Sequence, residues 1–386
     1  MRTYLDHAST TPLRPEADAA LRRWLDDPAA GDPARIHSEG RIARVAIEES
    51  RETVASFFGV RPRQVIFVSG GTEAIATATW SALRGTPGGT ILCAAIEHSA
   101  VTESARSYGS RGPGAGAVEW VPVSPGGVVD AGWVGARLGG AGPRVALVHC
   151  QVANHEVGTL QPAREVAKAC RSAGVLFHAD ACASAAHLPL DVEEWGGDMV
   201  SVSSHKLGGP PGAGALLLRR GLRIEPLLRG GAQERSRRAG LENLPGILGF
   251  AAAVSALATP GHLEREAERQ SRHLSAIVAA ATAVPGVALV GPADPADRLP
   301  HIACFSIEDI PGEPILLGLE AAGVAVHSGS ACSSESLEPS PVLGAMGVDS
   351  ERTIRVSVGW STVDDDVSAF ARTFPVVVEK LRSLRG

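Results

Sequence analysis

The chain has 386 residues, 44% of them hydrophobic and 20% charged, and a formal net charge of -6. These values predict a globular protein of roughly two or three domains and exclude a disordered tail, a coiled coil and a small disulfide-stapled scaffold. The basic residues are scattered, so no direct nucleic-acid binding is expected. No apolar run approaches the roughly 18 residues of a membrane span, and the six cysteines include no Cys-x-x-Cys pair. We therefore expect a cytoplasmic protein without membrane contact.

Short apolar runs alternate with helical patterns through the first two thirds of the chain. Helical stretches, such as 72–83 and 99–107, separate strand signals at 64–68, 90–95, 145–152, 175–178, 199–202 and 214–218. Strands that are apolar on both faces and alternate with helices predict an α/β domain with a mainly parallel sheet. Ligands bind beyond the carboxyl ends of such strands, so we expect the chemistry in the polar residues that follow each run.

A domain boundary is predicted at Thr-Pro-Gly, 259–261, between a helical stretch at 245–258 and another that begins at 262. Strand signals at 287–290, 302–307, 324–326 and 354–358 then predict a smaller α+β domain. The predicted organisation is an N-terminal segment at 1–15 that packs with the small domain, a large domain at 16–258 and a small domain at 259–386.

Two charged residues follow neighbouring strand signals. Lys206 lies in a glycine-rich turn, Ser-Ser-His-Lys-Leu-Gly-Gly at 203–209. Most lysines in loops are simply exposed, but a partly buried lysine beside a cofactor carbonyl could form a Schiff base. Asp180 could pair with the nitrogen of a pyridoxal phosphate ring, or it could serve only as a cap or turn residue.

Other strand ends carry weaker signals. The turn Ser-Gly-Gly-Thr-Glu at 69–73 offers free backbone N–H groups and a helix N-terminus to a phosphate. His98 could stack on an aromatic ring, although a lone histidine is more often structural. The glycines at 209–214 are followed by Ala-Leu, which excludes a nucleotide P-loop, and 70–74 lacks the G-x-G-x-x-G pattern of dinucleotide binding.

A series of motifs in chain order resembles the pyridoxal-phosphate-dependent cysteine desulfurases of the NifS and IscS type, in the class V aminotransferase family. The motifs lie at 4–12, 69–73, 97–98, 153–158, 178–180, 203–206, 234–240 and 327–339. The resemblance implies a homodimer of the fold-type I pyridoxal phosphate enzymes. Its large domain would hold a mainly parallel seven-stranded sheet, followed by the smaller α+β C-terminal domain.

The resemblance also implies roles for single residues. Lys206 would form the Schiff base with pyridoxal 5'-phosphate, Asp180 would pair with the pyridine nitrogen, and His98 would stack on the ring and assist proton transfer. Arg355 would bind the carboxylate of L-cysteine, a task suited to a bidentate guanidinium. The remaining contacts would be Asn154 at the ring hydroxyl and the substrate, and Gly71, Thr72, Ser203 and His205 at the phosphate.

Cys332 lies in a run of small residues, Ser-Gly-Ser-Ala-Cys-Ser-Ser at 328–334. By resemblance its thiolate would attack the sulfur of cysteine, release L-alanine and carry the sulfur as a persulfide to an acceptor protein. The alternative is an incidental loop cysteine. The sequence leaves the acceptor open among iron-sulfur assembly, RNA thiolation, DNA phosphorothioation and thio-metabolite synthesis, and it predicts no metal site.

The chain departs from the family pattern at four positions. Ala183 replaces a glutamine that donates to the ring oxygen, and Leu241 replaces a threonine that reaches the partner's phosphate site; His155 and Gln233 stand where Asn and His are common. Two other functions therefore stay open. One is a related lyase for selenocysteine or cysteine sulfinate without a protein persulfide, and the other is a degenerate scaffold that binds partners without turnover.

Overall fold

The computed structural model describes residues 2–26, 31–111, 116–328 and 339–384. Cys332 and the rest of the segment 329–338 lie outside the described residues, so the role predicted for this cysteine stays a prediction. The other predicted site residues all lie within the described ranges.

The strands lie close to the positions that the apolar runs predict. In chain order they are β1 Thr3–Tyr4, β2 Val65–Val68, β3 Thr90–Ala94, β4 Val118–Val121, β5 Val145–His149, β6 Leu176–Asp180, β7 Met199–Ser203, β8 Gly214–Leu218, β9 Val287–Val290, β10 Ile302–Ile307, β11 Val324–Ala325, β12 His327–Ser328 and β13 Thr353–Ser357. The prediction missed β1 and β12, which have two residues each, and β4. In β4, Glu119 and Trp120 interrupt the apolar pattern at the edge of the sheet, where a strand is covered on fewer sides.

The helices fall between the strands. They are α1 Pro15–Leu25, α2 Ser38–Phe57, α3 Gly71–Gly85, α4 Ser99–Arg111, α5 Ala131–Gly139, α6 Ala163–Ala173, α7 Val192–Trp195, α8 Gln233–Ser236, α9 Leu244–Leu257, α10 His262–Thr282, α11 Gly312–Ala321, α12 Pro341–Ala345 and α13 Asp364–Ser383. Within the described ranges, no single helix is long and apolar enough to cross a membrane, and only the bent pair α9 and α10 together reaches that length.

Seven strands form the main sheet in the order β2-β8-β7-β6-β5-β3-β4. The pairs β3–β4, β3–β5, β5–β6 and β6–β7 are parallel, whereas β8 runs antiparallel to β2 and β7. Every residue of β2, β3, β5, β7 and β8 is buried. The predicted α/β fold with a mainly parallel seven-stranded sheet is therefore confirmed.

Two smaller sheets lie in the N- and C-terminal parts of the chain. The strands β12-β13-β10-β9 form an antiparallel sheet, and its core includes Phe305, Phe370 and Phe374. The N-terminal β1 pairs in parallel with β11. As a result, the chain immediately after β1 runs beside β13, where Ala8 N donates to Ser357 Oγ.

Arg14 joins the N-terminal segment to the turn that carries Lys206. Its Nε donates to Leu207 O at 2.8 Å, and its two other nitrogens donate to both oxygens of Glu266 at 2.7 and 2.9 Å. Both side chains of the ion pair are buried, with 5% and 3% exposed. Burial alone would raise the pKa of Glu266, but the hydrogen bonds from Arg14 outweigh it and hold that pKa below its ordinary value.

The Arg14→Ala variant is expected to lose about 3–5 kcal/mol of unfolding free energy, because it leaves a buried carboxylate without its cation. Urea denaturation followed by circular dichroism measures this loss. The matched control is Arg22→Ala on α1, which breaks the exposed pair with Asp18 and should leave the midpoint unchanged. Equal midpoints for the two variants would show that the buried pair does not stabilise this region.

Candidate active site

An open cleft of about 780 Å³ lies where β3, β5, β6 and β7 end. Parallel strands bring their carboxyl ends to one edge, so residues far apart in the sequence converge there. Of the predicted site residues, the cleft is lined by Gly71, Thr72, His98, Asp180, Ser203, His205, Lys206 and Arg355. Asn154 does not belong to this lining.

Lys206 ends a short 3-10 helix, Ser204–Lys206, that follows β7 directly. Its Nζ donates to Ala8 O at 2.8 Å, so the N-terminal segment forms one wall around the amine. The turn continues through Gly208, whose φ of +84° lies in the left-handed region; a β-carbon there would lie 2.6 Å from Arg14 Cγ. Only glycine fits this conformation and this close approach, which explains the glycine after the lysine.

Asp180 ends β6 and is buried, with 8% of its surface exposed. In the described part of the chain, its hydrogen bonds come from Cys182 N at 3.0 Å and Ser201 Oγ at 2.8 Å, and both reach Oδ1. Burial alone would raise the pKa of Asp180, but the hydrogen bonds from Cys182 hold it below its ordinary value. The carboxylate is therefore ionised, which suits it to pair with a protonated ring nitrogen.

Two buried imidazoles lie behind Asp180, and the sequence analysis gave neither a role. Thr79 Oγ1 donates to Ile75 O at 2.9 Å, so it accepts from His149 Nε2 at 3.2 Å. His149 Nδ1 then accepts from His178 Nδ1 at 2.9 Å. Burial lowers the pKa of His178 to about 4. Both rings are therefore neutral and add no charge next to the carboxylate.

The first turn of α3 forms the other end of the cleft. Its leading backbone N–H groups have no partner within the helix, and Gly71 and Thr72 bring them to the cleft wall. Ser203 Oγ lies 2.9 Å from His205 Nδ1, and burial lowers the pKa of His205 to about 4. This group of N–H and hydroxyl donors suits a phosphate.

Cys182 also lines the phosphate end, where the sequence analysis did not place it. A β-carbon at Gly71 would lie 2.5 Å from its Sγ, so the thiol packs directly under the start of α3. Burial, and then the neighbouring Asp180, raise the pKa of Cys182 well above its ordinary value. The side chain is therefore a neutral thiol, and its hydrogen bond to Asp180 helps to keep that carboxylate ionised.

Asn154 and His155 follow β5 and differ in where their side chains lie. Asn154 is fully buried; its Oδ1 accepts from Glu156 N and Val157 N, and its Nδ2 donates to Ile96 O at 3.1 Å. These bonds stabilise the turn. The contact of Asn154 with the cofactor ring and the substrate stays a prediction. The side chain of His155 instead enters the cleft beside His98.

Arg355 reaches the cleft from β13 and is almost fully buried, with 1% exposed. Its Nη2 donates to Asp6 Oδ1 at 2.9 Å and its Nη1 donates to His155 O at 3.1 Å. Among the described residues, its Nε has no hydrogen-bond partner. A buried guanidinium in a cleft, with one N–H that has no partner among the described residues, can bind a substrate carboxylate.

The model of the aminotransferase class-V family matches residues 3–370. The chain belongs to this family. It is 37% identical to cysteine desulfurase IscS of Dictyoglomus turgidum over 99% of this chain and 95% of that protein. A solved NifS-like protein is 29% identical, with a TM-score of 0.88 over 99% of this chain and 100% of that one. The solved structure of SspA in complex with cysteine is 26% identical, with a TM-score of 0.80 over 94% and 100%. The predicted relation to NifS- and IscS-type cysteine desulfurases is confirmed.

The cleft of this class-V family member has the donor set that pyridoxal 5'-phosphate requires. An amine, a buried ionised carboxylate and a helix N-terminus with adjacent hydroxyls line the cleft, in Lys206, Asp180 and the start of α3. A methyl group lines it at Ala183, where the resemblance implies a glutamine. Leu241, in place of a threonine, is 64% exposed. Neither of these two side chains can donate a hydrogen bond to a ring or a phosphate.

Proposed function

We propose that the protein is a pyridoxal-phosphate-dependent cysteine desulfurase that converts L-cysteine to L-alanine and passes the sulfur on from Cys332. The observation that carries the proposal is that Lys206, Asp180 and Arg355 line one cleft, as covalent anchor, ring partner and carboxylate clamp. Because the chain is similar to cysteine desulfurase IscS and to a NifS-like protein, the proposed substrate is L-cysteine. Nothing in the described site favours the alternatives of a related lyase or an inactive scaffold.

Different residues of the cleft bind the substrate and the cofactor. Arg355 binds the substrate carboxylate, and its bonds to Asp6 and His155 O fix the guanidinium in place. Asp180 and Lys206 hold the cofactor, with Gly71, Thr72, Ser203 and His205 at its phosphate. When bound, the cofactor withdraws electrons from the substrate's α-carbon. His98 presents an N–H on the ring side of the cleft, because its Nδ1 accepts from Ala100 N at 3.0 Å.

The protein is further proposed to act as a homodimer in the cytoplasm. Ile36 and Leu241 are large apolar residues with 90% and 64% of their surface exposed in the single chain. A partner subunit would cover such side chains. The acceptor would be a protein that reaches Cys332, and the described residues do not identify it.

Incubation of the purified protein with L-cysteine tests this function. Equimolar alanine and reducible sulfur are expected, because the proposed reaction removes one sulfur atom for each alanine formed. Product from L-cysteine sulfinate but not from L-cysteine would favour the related lyase. A cofactor-loaded protein that releases no alanine from either substrate would favour the scaffold.

A further inference from the structure

The start of α3 carries a carboxylate as well as the N–H groups proposed for the phosphate. Glu73 lies in the first turn of the helix, directly after Gly71 and Thr72. Its Oε2 accepts from Ser69 N at 2.8 Å, in the turn that leads into α3. A carboxylate in the first turn is favourable for the helix dipole, but it repels a phosphate bound at the same helix end. The affinity for a phosphate there therefore depends on what balances this negative charge.

Arg238 supplies a positive charge next to this carboxylate. Its Nε donates to Glu73 Oε1 at 2.9 Å, and its Nη2 donates to Glu73 Oε2 at 3.3 Å. The side chains of Arg238 and Glu73 are only 20% and 10% exposed, so water and salt screen the pair incompletely. Burial alone would raise the pKa of Glu73, but the hydrogen bonds from Arg238 and Ser69 outweigh it and hold that pKa below its ordinary value. Glu73 is therefore ionised, and the guanidinium neutralises it.

A buried ion pair fixes the backbone that precedes Arg238 to β2. Glu234 accepts from Arg51 Nη1 and Nη2 at 2.8 and 2.7 Å and from Phe67 N at 3.1 Å. Both charged side chains of this pair are buried. Residues 234–236 have φ angles of +48°, +57° and +61°, in the left-handed region that residues other than glycine rarely adopt. Such a backbone persists only where its surroundings hold it. The ion pair therefore keeps Arg238 in place relative to β2 and the turn into α3.

We propose that Arg238 is a positioning residue that neutralises Glu73 and thereby sets the affinity of the α3 N-terminus for the phosphate of pyridoxal 5'-phosphate. Because Arg238 and Glu73 together carry no net charge, the free N–H groups and the helix dipole leave a net attraction for the phosphate. Arg238 acts through Glu73, since its Nε and Nη2 both donate to that carboxylate. The inference rests on the cofactor dependence of the proposed function and adds a residue to it that the sequence analysis gave no role.

Single substitutions of the two partners separate an effect of charge from an effect of structure, because each of them breaks the same ion pair. Arg238→Gln leaves Glu73 unbalanced, so the dissociation constant for pyridoxal 5'-phosphate should rise about tenfold. Glu73→Gln leaves the cation unbalanced, so that constant should fall or stay within about twofold of the wild-type value. The double variant should return to within about threefold of wild type. Absorption titration of the cofactor-free full chain measures all four constants. Equal losses in the two single variants would show a purely structural role and overturn the proposal.

The ionisation of the bound phosphate provides a readout that needs no turnover. Phosphorus NMR of the holoenzyme across a pH series reports the pKa at which the bound phosphate takes up its proton. A nearby negative charge disfavours the dianion, so this pKa should be higher in Arg238→Gln than in the wild-type protein. In Glu73→Gln it should be lower or unchanged, because the negative charge is gone. A phosphate pKa that is the same in Arg238→Gln and in the wild-type protein would contradict the proposal.

Arg235→Gln is the matched control, because Arg235 lies on the same segment but pairs with Glu48, and both of these side chains are exposed. Its removal should leave the dissociation constant within about twofold of wild type. A loss as large as that of Arg238→Gln would overturn the proposal.

Pyridoxal, which lacks the phosphate, is the control ligand. Its affinity should be the same in Arg238→Gln and in the wild-type protein, because the proposed effect acts on the phosphate alone. Equal losses for pyridoxal and pyridoxal 5'-phosphate would overturn the proposal. If the wild-type protein binds the cofactor but releases no alanine from L-cysteine, the desulfurase function fails, and the affinities still decide the role of Arg238. A wild-type protein that binds no cofactor would overturn both.

Discussion

The Lys206→Ala variant is expected to lose the visible absorption of the bound cofactor and to lose cysteine turnover by at least about 10²–10⁴-fold. The amine is the only covalent anchor proposed for the cofactor, and it also supplies a proton-transfer group, whose loss alone accounts for a factor of this size. The absorption spectrum of the reconstituted protein and the alanine released from L-cysteine measure the two effects.

The chain contains few lysines, so the residue that carries the cofactor can be identified directly. Its only lysines are Lys168, Lys206 and Lys380. Lys168 and Lys380 are exposed on α6 and α13, away from the cleft. Borohydride reduction followed by peptide mass analysis should therefore find the cofactor on Lys206 alone. Lys168→Ala and Lys380→Ala are matched controls that should keep both colour and turnover. Cofactor found on either of these residues would refute the assignment of Lys206.

The Cys332→Ser variant is expected to keep the bound cofactor and to bind L-cysteine, yet to form no protein persulfide. The residues proposed to bind the cofactor and the substrate carboxylate include members of α3, β6, β7, the Lys206 turn and β13, and the substitution leaves all of these residues unchanged. Alanine release should fall by orders of magnitude, because a hydroxyl is a much weaker nucleophile than a thiolate at neutral pH. Alanine is measured in solution, and bound sulfur is measured by protein mass.

The other cysteines are poor candidates for the nucleophile. Burial raises the pKa of Cys93, Cys150, Cys170, Cys182 and Cys304, so each is a neutral thiol near pH 7. Cys182→Ser is the matched control, because this thiol lines the cleft and yet should leave persulfide formation intact. Persulfide on any of these five residues, or undiminished alanine from Cys332→Ser, would contradict the role of Cys332.

The fold class, the positions of most strands and the location of the chemistry could be predicted from the sequence, whereas the order of the strands in the sheet could not. Apolar runs on both faces imply a buried, mainly parallel sheet, and the carboxyl ends of such strands converge. Asp180 and Lys206 end or follow neighbouring strands, so their meeting in one cleft follows from local pattern and this general rule. The edge strand β4 was not predicted, because a strand covered on fewer sides has no continuous apolar run.

The positions and hydrogen-bond partners of neighbouring side chains were decided only by the tertiary structure. Asn154 and His155 are adjacent in sequence, yet one braces a turn and the other enters the cleft. The orientation of His98 depends on Ala100 N, which donates to its Nδ1. Arg14 reaches Glu266 and the Lys206 turn across 252 and 193 positions of the chain. Periodicity reports which face of an element is buried, but hydrogen-bond partners far apart in the sequence leave no local pattern, so only packing determines them.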